Sequence, residues 1–424
     1  MQWWVCALLA IALLLSGCFD DTIGFSSGSV SGPFGIAADP VQGPRFLGVV
    51  GGDYKSSVIS LIDLASLADG DVQSQPARHS AVLHSGSQVG ATSLALSGDV
   101  VWARTQLADH HLLAVDRNNA AILELDPRTG TVVRQVSVST GFYSNPQDAI
   151  ATSPTQWVVS RMNRNADTGP KTAAFARGDD VVALDPATGA FTARADLEAA
   201  LPDGATGTLA APQRLAATDR IFVPLAMFAP NFKGQATARL AVLRVSDLQV
   251  SHIADLAPAR NCVNIEILSP TQLLLACQGS FQMAAEQASQ SALLVVDVSG
   301  DTPHILKSIG IPSESGPWSR DIAALDAQWA VAVTLGNLQP KRSDRLWLVN
   351  LITGERRAMQ DSGAPFGYSG LWADPLRRSV WLGEAQRKDG DLLRFLVTVA
   401  GQVVVGVPVA ANPGGLGALE LVGQ

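Results

Sequence analysis

The sequence is poor in features that would each point to a particular class of protein. Only 16% of its 424 residues are charged, the formal net charge is −8, and no basic run or stripe appears. Nucleic acid is therefore not an expected partner. Four cysteines, two of them near the N-terminus, are too few for a disulfide framework or a multi-cysteine metal cluster. His110 and His111 are adjacent, but neighbouring strand residues point to opposite faces and cannot readily share one metal, and the other four histidines are scattered. No Ser/His/Asp set or phosphate loop can be assembled, so we predict no metal site and no cofactor.

The longest N-terminal apolar run, Trp3 to Leu15, has 13 residues, fewer than the roughly 20 of a membrane-spanning helix. It fits the core of a secretion signal. The residues that follow, Leu15-Ser16-Gly17-Cys18, resemble the lipobox of bacterial lipoproteins. The resemblance implies a signal peptide over residues 1–17 and a lipid-modified Cys18 that holds the protein on a lipid membrane. The alternative is an ordinary cleaved signal that ends near the same place.

The residues after Cys18 indicate the cellular location of the protein and a flexible linker. Phe19 stands where such lipoproteins carry an Asp for inner-membrane retention, so the resemblance implies the outer membrane of a Gram-negative bacterium, on its periplasmic or surface side. Residues 18–32 are rich in Ser and Gly and predict a flexible tether. We expect residues 33–424 to form one folded domain.

A hairpin unit recurs along that domain. In 121–133, AILELDPRTGTVV, alternating apolar residues run into a turn where Pro127 presets the backbone and Gly130 accepts a positive φ. Related units place a polar residue at a strand end seven times. These seven markers are Asp63, Asp126, Asp185, Ser246, Asp297, Asn350 and Thr398. Their spacing of 48 to 63 residues predicts a seven-fold array.

A second series of apolar hairpins lies in step with the first. Its instances are residues 35–50, 93–104, 149–161, 214–225, 264–277, 322–333 and 371–383. Each repeat then carries about four strands, A to D, without helical patterning. This predicts an all-β, seven-bladed β-propeller of four-stranded antiparallel blades. The strand-like piece 414–422 leaves two alternatives open, a strand that closes the ring, which we favour, or the remnant of an eighth blade.

The units ILELDPRTGTVV and VVALDPATGAF resemble the repeats of YVTN-type bacterial propellers. This resemblance supports the fold far better than a function. Quinone-cofactor propellers have similar repeats with a Trp shortly after the Thr-Gly, and that Trp is missing after Gly130, Gly189 and Gly354. Four of the Trp residues are expected in B strands instead, namely Trp102, Trp157, Trp329 and Trp381, where they would pack between blades.

Strand direction divides the connections between two faces. The A–B and C–D turns share one, the tight-turn face, and the B–C and D–A connections share the other, the long-loop face. Long irregular loops usually serve a function. On the long-loop face we expect polar and aromatic residues, placed just before the A strands, to ring the mouth of the central channel. They are Tyr143, Asn145, Gln147, Asp148, Arg214, Arg260, Asn261, Arg320, Asp321 and Tyr368.

Convergent polar groups at a concave mouth suit a ligand, although Arg and Asp there can also pair with each other and merely close the ring. We therefore interpret the protein as a binding or scaffolding module for an envelope protein, peptide or glycan. The alternative is a periplasmic enzyme of lactonase or lyase type. Cys262 and Cys277 flank a hairpin, and they can form a disulfide if the strand register sets them opposite each other.

Overall fold

Seven separate antiparallel sheets of the computed structural model follow one another along the chain. The structure describes residues 46–423 except 54, 65–77, 87–91, 104–106, 108–109, 168–172, 203–206, 230–233, 281–283, 313–314, 339–340, 386–390, 406–408 and 411–417. All described residues belong to the unit 33–424. The predictions for residues 1–32 lie outside the described part. Within that part, no helix combines the length and apolarity needed to cross a membrane.

The first blades follow the chain from its described start. Blade 1 contains β1 (Phe46–Gly52), β2 (Ser57–Asp63) and β3 (Arg78–His84). Blade 2 contains β4 (Val100–Trp102), β5 (Leu112–Asp116), β6 (Ala121–Asp126) and β7 (Thr131–Ser137). Blade 3 contains β8 (Pro146–Ser153), β9 (Gln156–Arg164), β10 (Gly178–Leu184) and β11 (Phe191–Asp196). Blade 4 contains β12 (Ala216–Ala217), β13 (Arg220–Leu225), β14 (Thr237–Arg244) and β15 (Val250–Arg260).

The later blades carry short insertions. Blade 5 contains β16 (Cys262–Ser269), β17 (Gln272–Gln278), β18 (Ser291–Asp297) and β19 (His304–Gly310), with helix α1 (Ala284–Gln290) between its second and third strands. Blade 6 contains β20 (Trp318–Ala324) and β21 (Trp329–Thr334), then a small hairpin of β22 (Asn337–Leu338) and β23 (Lys341–Arg342), then β24 (Arg345–Asn350) and β25 (Arg356–Asp361). Blade 7 contains β26 (Tyr368–Asp374), β27 (Ser379–Glu384), β28 (Asp391–Val397), β29 (Val403–Val405) and β30 (Val409–Ala410).

The end of the chain closes the ring. Strand β31 (Ala418–Gly423) pairs antiparallel with β1 and forms the innermost strand of blade 1. The seven-bladed prediction and the favoured ring closure are thus confirmed. The prediction that residues 35–50 supply both inner strands of blade 1 was wrong, because the inner strand comes from the C-terminus and β1 is the second strand.

Blade 2 departs from its predicted register. Its innermost strand is β4, whereas residues 93–104 were expected to supply both inner strands. The backbone N–H and hydroxyl of Ser97 instead bind the carboxylate of Asp116, and this holds the segment at a turn of the blade. Trp102 consequently lies in an A strand, while Trp157, Trp329 and Trp381 lie in B strands as predicted.

The three Thr-Gly hairpins share one turn geometry. Gly130, Gly189 and Gly354 have φ of 69°, 71° and 82°. Each donates its N–H to the carbonyl four residues earlier at 2.8 Å. The polar marker also has a local role, because Asp126 and Asn350 accept backbone N–H groups two residues ahead. The prediction of a positive φ at Gly130 is confirmed.

Apolar side chains are buried between neighbouring blades, so most strands are apolar on both faces. One such cluster joins blades 4 and 5 and contains Phe222, Leu240, Leu273 and Leu294. Within blade 5, Cys262 and Cys277 are directly opposite each other and joined by a disulfide. A two-residue turn and two register shifts between β16 and β17 bring them into this position.

Candidate functional site

A ring of β-bulges surrounds the entrance of the channel. In five of the seven innermost strands, β31, β8, β16, β20 and β26, the register against the next strand shifts within the first five residues. A bulge bends the strand and redirects its side chains. The residues at or beside these shifts include Gln147, Asp148, Asn264, Arg320 and Glu420. Polar side chains therefore meet in the channel at one level.

Arg214, just ahead of the innermost strand of blade 4, is the hub of this level. Its guanidinium donates to the Glu420 carboxylate at 2.9 Å and to the carbonyl of Trp102, and lies 3.5 Å from the Asp148 carboxylate. The other Asp148 oxygen accepts the N–H of Leu215 at 2.8 Å. The side chains of Arg214, Asp148 and Glu420 are 7%, 1% and 3% exposed.

Arg320 completes the network from blade 6. Its guanidinium pairs with the same Glu420 oxygen as Arg214, yet 36% of its side chain stays exposed. Its backbone carbonyl accepts the Asn264 amide at 2.6 Å. These contacts link the innermost strands of blades 1 to 6 in one connected set. The buried charges are compensated inside the molecule, as buried charges must be.

The predicted mouth residues of blade 3 differ in exposure. Tyr143 is 49% exposed, and its hydroxyl donates to Asn118 at 3.2 Å. Asn145 adopts φ of 50°, a backbone conformation that few non-glycine residues take. Gln147 is 9% exposed, and its amide donates to the carbonyl and side-chain oxygens of Asn145. Tyr143 is therefore accessible to a ligand, whereas Gln147 stabilises the turn at Asn145.

Three other predicted residues mainly stabilise their own surroundings. Arg260 lies in β15 and donates to the Gln235 carbonyl at 2.6 Å. Asn261 is fully buried, has φ of 53°, and donates its amide to Gln278 at 2.9 Å. Asp321 is 8% exposed and accepts the Ser319 hydroxyl at 3.1 Å.

Tyr368 requires a correction. We expected it at the open mouth, but it is 5% exposed and belongs to the apolar cluster between blades 6 and 7. Burial raises the pKa of its hydroxyl above the usual value, and nearby carboxylates raise it further. Phe366, two residues earlier in the chain, is the exposed aromatic residue of this segment: it is 51% exposed and has φ of 57°.

Two buried carboxylates hold mouth segments in place. Asp179 accepts the N–H groups of Ala210 and Ala211 at 3.0 and 2.8 Å and pairs with Arg164 at 2.9 Å. Asp344 accepts the N–H groups of Gly336, Phe366 and Tyr368 at 2.6, 3.0 and 3.0 Å.

Burial raises the pKa of Asp179 to about 6, despite the opposing effect of those N–H groups and Arg164. Burial also raises the pKa of Asp344. In both blades the carboxylate lies at the entry of the third strand and holds the connection that leads into the next blade.

The long connections expected on the long-loop face occur in blades 3 to 6. Two arginines at the long connection of blade 3 are paired with buried carboxylates. Arg161 lies in β9, is fully buried and pairs with Asp180 at 2.8 Å, and Arg164 pairs with Asp179. Among the described residues, no three His, Cys, Asp or Glu side chains gather as metal ligands.

Sequence reasoning missed Glu420 and Asn264. Both sit directly after a bulge, as Asp148 does. Aligning Ala418-Leu-Glu-Leu-Val with Pro146-Gln-Asp-Ala-Ile would have placed Glu420 at the Asp148 level, once 418–423 was taken as an innermost strand. No local sequence signal marks the contact between Asn264 and Arg320.

Comparison with known proteins supports the fold. No family model and no curated protein matches the chain. A putative 6-phosphogluconolactonase from Bacteroides fragilis superposes with a TM-score of 0.55 at 10% identity, over 91% of this chain and 99% of that one. The periplasmic gluconolactonase of Pseudomonas aeruginosa gives 0.54 at 13% identity, over 89% and 98%. A streptogramin B lyase gives 0.52 at 12% identity, over 79% and 90%. At such identities the chain shares a propeller fold with them, and the likeness extends no further.

Proposed function

We propose that this chain is an envelope-anchored propeller lipoprotein whose long-loop face binds a protein, peptide or glycan partner. One observation carries the proposal. The charged residues at the mouth, Arg214, Asp148, Glu420 and Arg320, neutralise one another inside the channel, while Tyr143 and Phe366 expose about half of their surface on the same face. Exposed aromatic side chains around charged groups that are already paired with one another favour ligand recognition over acid–base catalysis.

The partner test is cross-linking on intact cells followed by mass spectrometry of the captured molecule. Tyr143→Ala and Arg320→Ala should both reduce capture. Tyr143→Ala should leave thermal stability nearly unchanged, because Tyr143 is 49% exposed. Arg320→Ala also removes an ion-pair partner of the buried Glu420 carboxylate and should lower stability, so its capture is measured well below its melting temperature. Leu376→Ser is the matched control, because Leu376 is 68% exposed in a turn of the opposite face. If the two mouth variants capture the partner normally and Leu376→Ser does not, the partner binds the tight-turn face and the proposal is wrong.

The anchor is tested separately. Cys18→Ala should leave the precursor unprocessed or release the protein from the membrane fraction, because it removes the sulfur that the lipid would modify. Mass spectrometry of the N-terminal peptide should find an acyl mass on the natural protein. Unchanged partitioning together with an unmodified peptide contradicts the anchor and supports an ordinary signal peptide.

The second candidate is a lactonase- or lyase-type enzyme. It is favoured by the buried carboxylates Asp148 and Glu420 in the channel, on a fold that a gluconolactonase and a lyase also adopt. The purified protein would then turn over lactones, and Asp148→Asn would abolish turnover. Absence of turnover combined with specific capture of a partner supports the binding module.

A further inference from the structure

The long-loop face of blade 6 carries a small two-stranded hairpin outside the main sheet of the blade, and its Arg342 donates to the carbonyl of Ser315 at 3.3 Å. Strands β22 and β23 pair Asn337 with Arg342 and Leu338 with Lys341. All four residues are exposed, and Leu338 exposes 50% of its surface. The hairpin therefore presents an apolar side chain directly beside two cations.

Phe366 lies next to the base of this hairpin. The same Asp344 oxygen accepts the N–H of Gly336, just before β22, and the N–H of Phe366. A Cβ atom on Gly336 would come within 2.8 Å of the Pro365 backbone, so the two segments are tightly packed. We call Leu338, Lys341, Arg342 and Phe366 the blade 6 patch.

One residue of the patch, Phe366, has an unfavourable backbone conformation that the surrounding fold maintains. A positive φ at Phe366 is strained for an aromatic residue, and strain of this kind clusters at functional sites. The backbone there is held by Asp344, a fully buried carboxylate. As a result, Phe366 is 51% exposed next to the base of the hairpin that carries Leu338.

We propose that the blade 6 patch inserts into an anionic lipid surface. Apolar side chains flanked by Lys and Arg are the chemistry that binds the boundary between headgroups and acyl chains. Charge complementarity selects an anionic surface, because the patch is cationic on a chain whose net charge is −8. The patch has two apolar side chains, Leu338 and Phe366, whereas a stable protein interface needs roughly 800 Å² on each partner.

The lipid contact is distinct from the partner at the channel mouth, although both use Phe366, and it rests on the proposed anchor, which would hold the protein at the membrane. A weak second contact of this kind would orient a protein that is already held at a membrane, since stable attachment generally takes two signals. The nearby acidic side chain Asp361 is paired with Arg345 at 3.0 Å, so it does not cancel the cations of the hairpin.

The test uses the full chain, purified from membranes and reconstituted into vesicles with and without 30% phosphatidylglycerol in phosphatidylcholine. A fluorophore is attached at Leu338→Cys and, in a matched protein, at Leu376→Cys on the tight-turn face. Brominated lipids should quench the label at 338 in anionic vesicles and leave the label at 376 unaffected. Lys341→Gln and Arg342→Gln should each lower the inserted fraction relative to the free one by about fivefold.

Phe366→Asn separates insertion from folding. Asn tolerates a positive φ, so this variant should be at least as stable as the natural protein and still lose quenching at 338. Lys55→Gln is the charge control, since Lys55 is exposed in the B–C turn of blade 1 on the same face. Equal quenching at 338 and 376, or quenching that is insensitive to the hairpin cations, would overturn the proposal. A change in the fluorescence of the label at 338 when an acidic protein is added without vesicles would likewise overturn the proposal.

Discussion

The carboxylate of Glu420 provides the sharpest test of how the ring is held together. The residue lies on the strand that closes the propeller, yet its ion-pair partners Arg214 and Arg320 belong to blades 4 and 6. The side chains of Glu420 and Arg214 are 3% and 7% exposed. Loss of the Glu420 charge therefore leaves a guanidinium buried with only Asp148, 3.5 Å away, as a counter-charge.

The perturbation is Glu420→Gln, which keeps the shape of the side chain and one acceptor oxygen. Breaking a buried pair costs about 3–5 kcal/mol, and the retained acceptor and Asp148 place this change near 3 kcal/mol. For a domain of this size the melting temperature should fall by about 4 °C. Calorimetry and urea unfolding measure the loss, and hydrogen exchange should increase in β31 and β1 before other blades.

The matched control is Glu355→Gln. Glu355 also pairs with an arginine, Arg357, at 3.4 Å, but these side chains are 60% and 50% exposed. An exposed pair of this kind contributes a few tenths of a kcal/mol, roughly. Equal destabilisation by the two substitutions would refute the claim that Glu420 stabilises the ring through a buried ion pair.

Three further predictions concern the core, the disulfide and pH. Tyr368→Ala should lower the free energy of unfolding by about 3–5 kcal/mol, because it leaves a cavity at a buried site. Tyr143→Ala, at an exposed site, should lower it by less than about 0.5 kcal/mol. Similar unfolding midpoints for the two variants would contradict the buried placement of Tyr368. Replacing both Cys262 and Cys277 by Ala should lower the free energy of unfolding by about 3 kcal/mol, because their disulfide closes a short loop. Thiol labelling of the denatured, unreduced protein should find neither cysteine reactive. Two reactive thiols would show that the bond is absent. Burial raises the pKa of Asp179 from 3.8 to about 6, so the folded protein binds this proton more tightly than the unfolded chain does. The resulting stabilisation is fully present below pH 3.8 and is lost as the pH rises through 6. Relative to Asp179→Asn, the natural protein should therefore lose up to about 3 kcal/mol between pH 4 and 7 in urea titrations, and a constant difference would contradict the raised pKa.

The seven repeats, the four-stranded blades and the hairpin turns could all be predicted from the sequence. These features are local, because Asp126, Pro127 and Gly130 specify a turn within a few residues and the turn recurs at a regular spacing. The favoured ring closure was also readable, since 414–422 is strand-like and lacks a following partner strand. The blade 2 register was not readable, because the contact between Ser97 and Asp116 that displaces its strands is not a local pattern.

The site depended on tertiary structure. Position along the chain placed Asp148, Arg214 and Arg320 near one channel, but only ring closure brought Glu420 between the two arginines. Burial likewise separated Tyr368, which packs in the core, from Phe366, which is exposed two residues earlier. Hydrophobic periodicity reports which face of a strand is buried, whereas the partners of a buried charge come from blades that lie far apart in sequence. The fold could therefore be predicted from repeating local chemistry, while the charge pairing at its centre was decided by the closed ring.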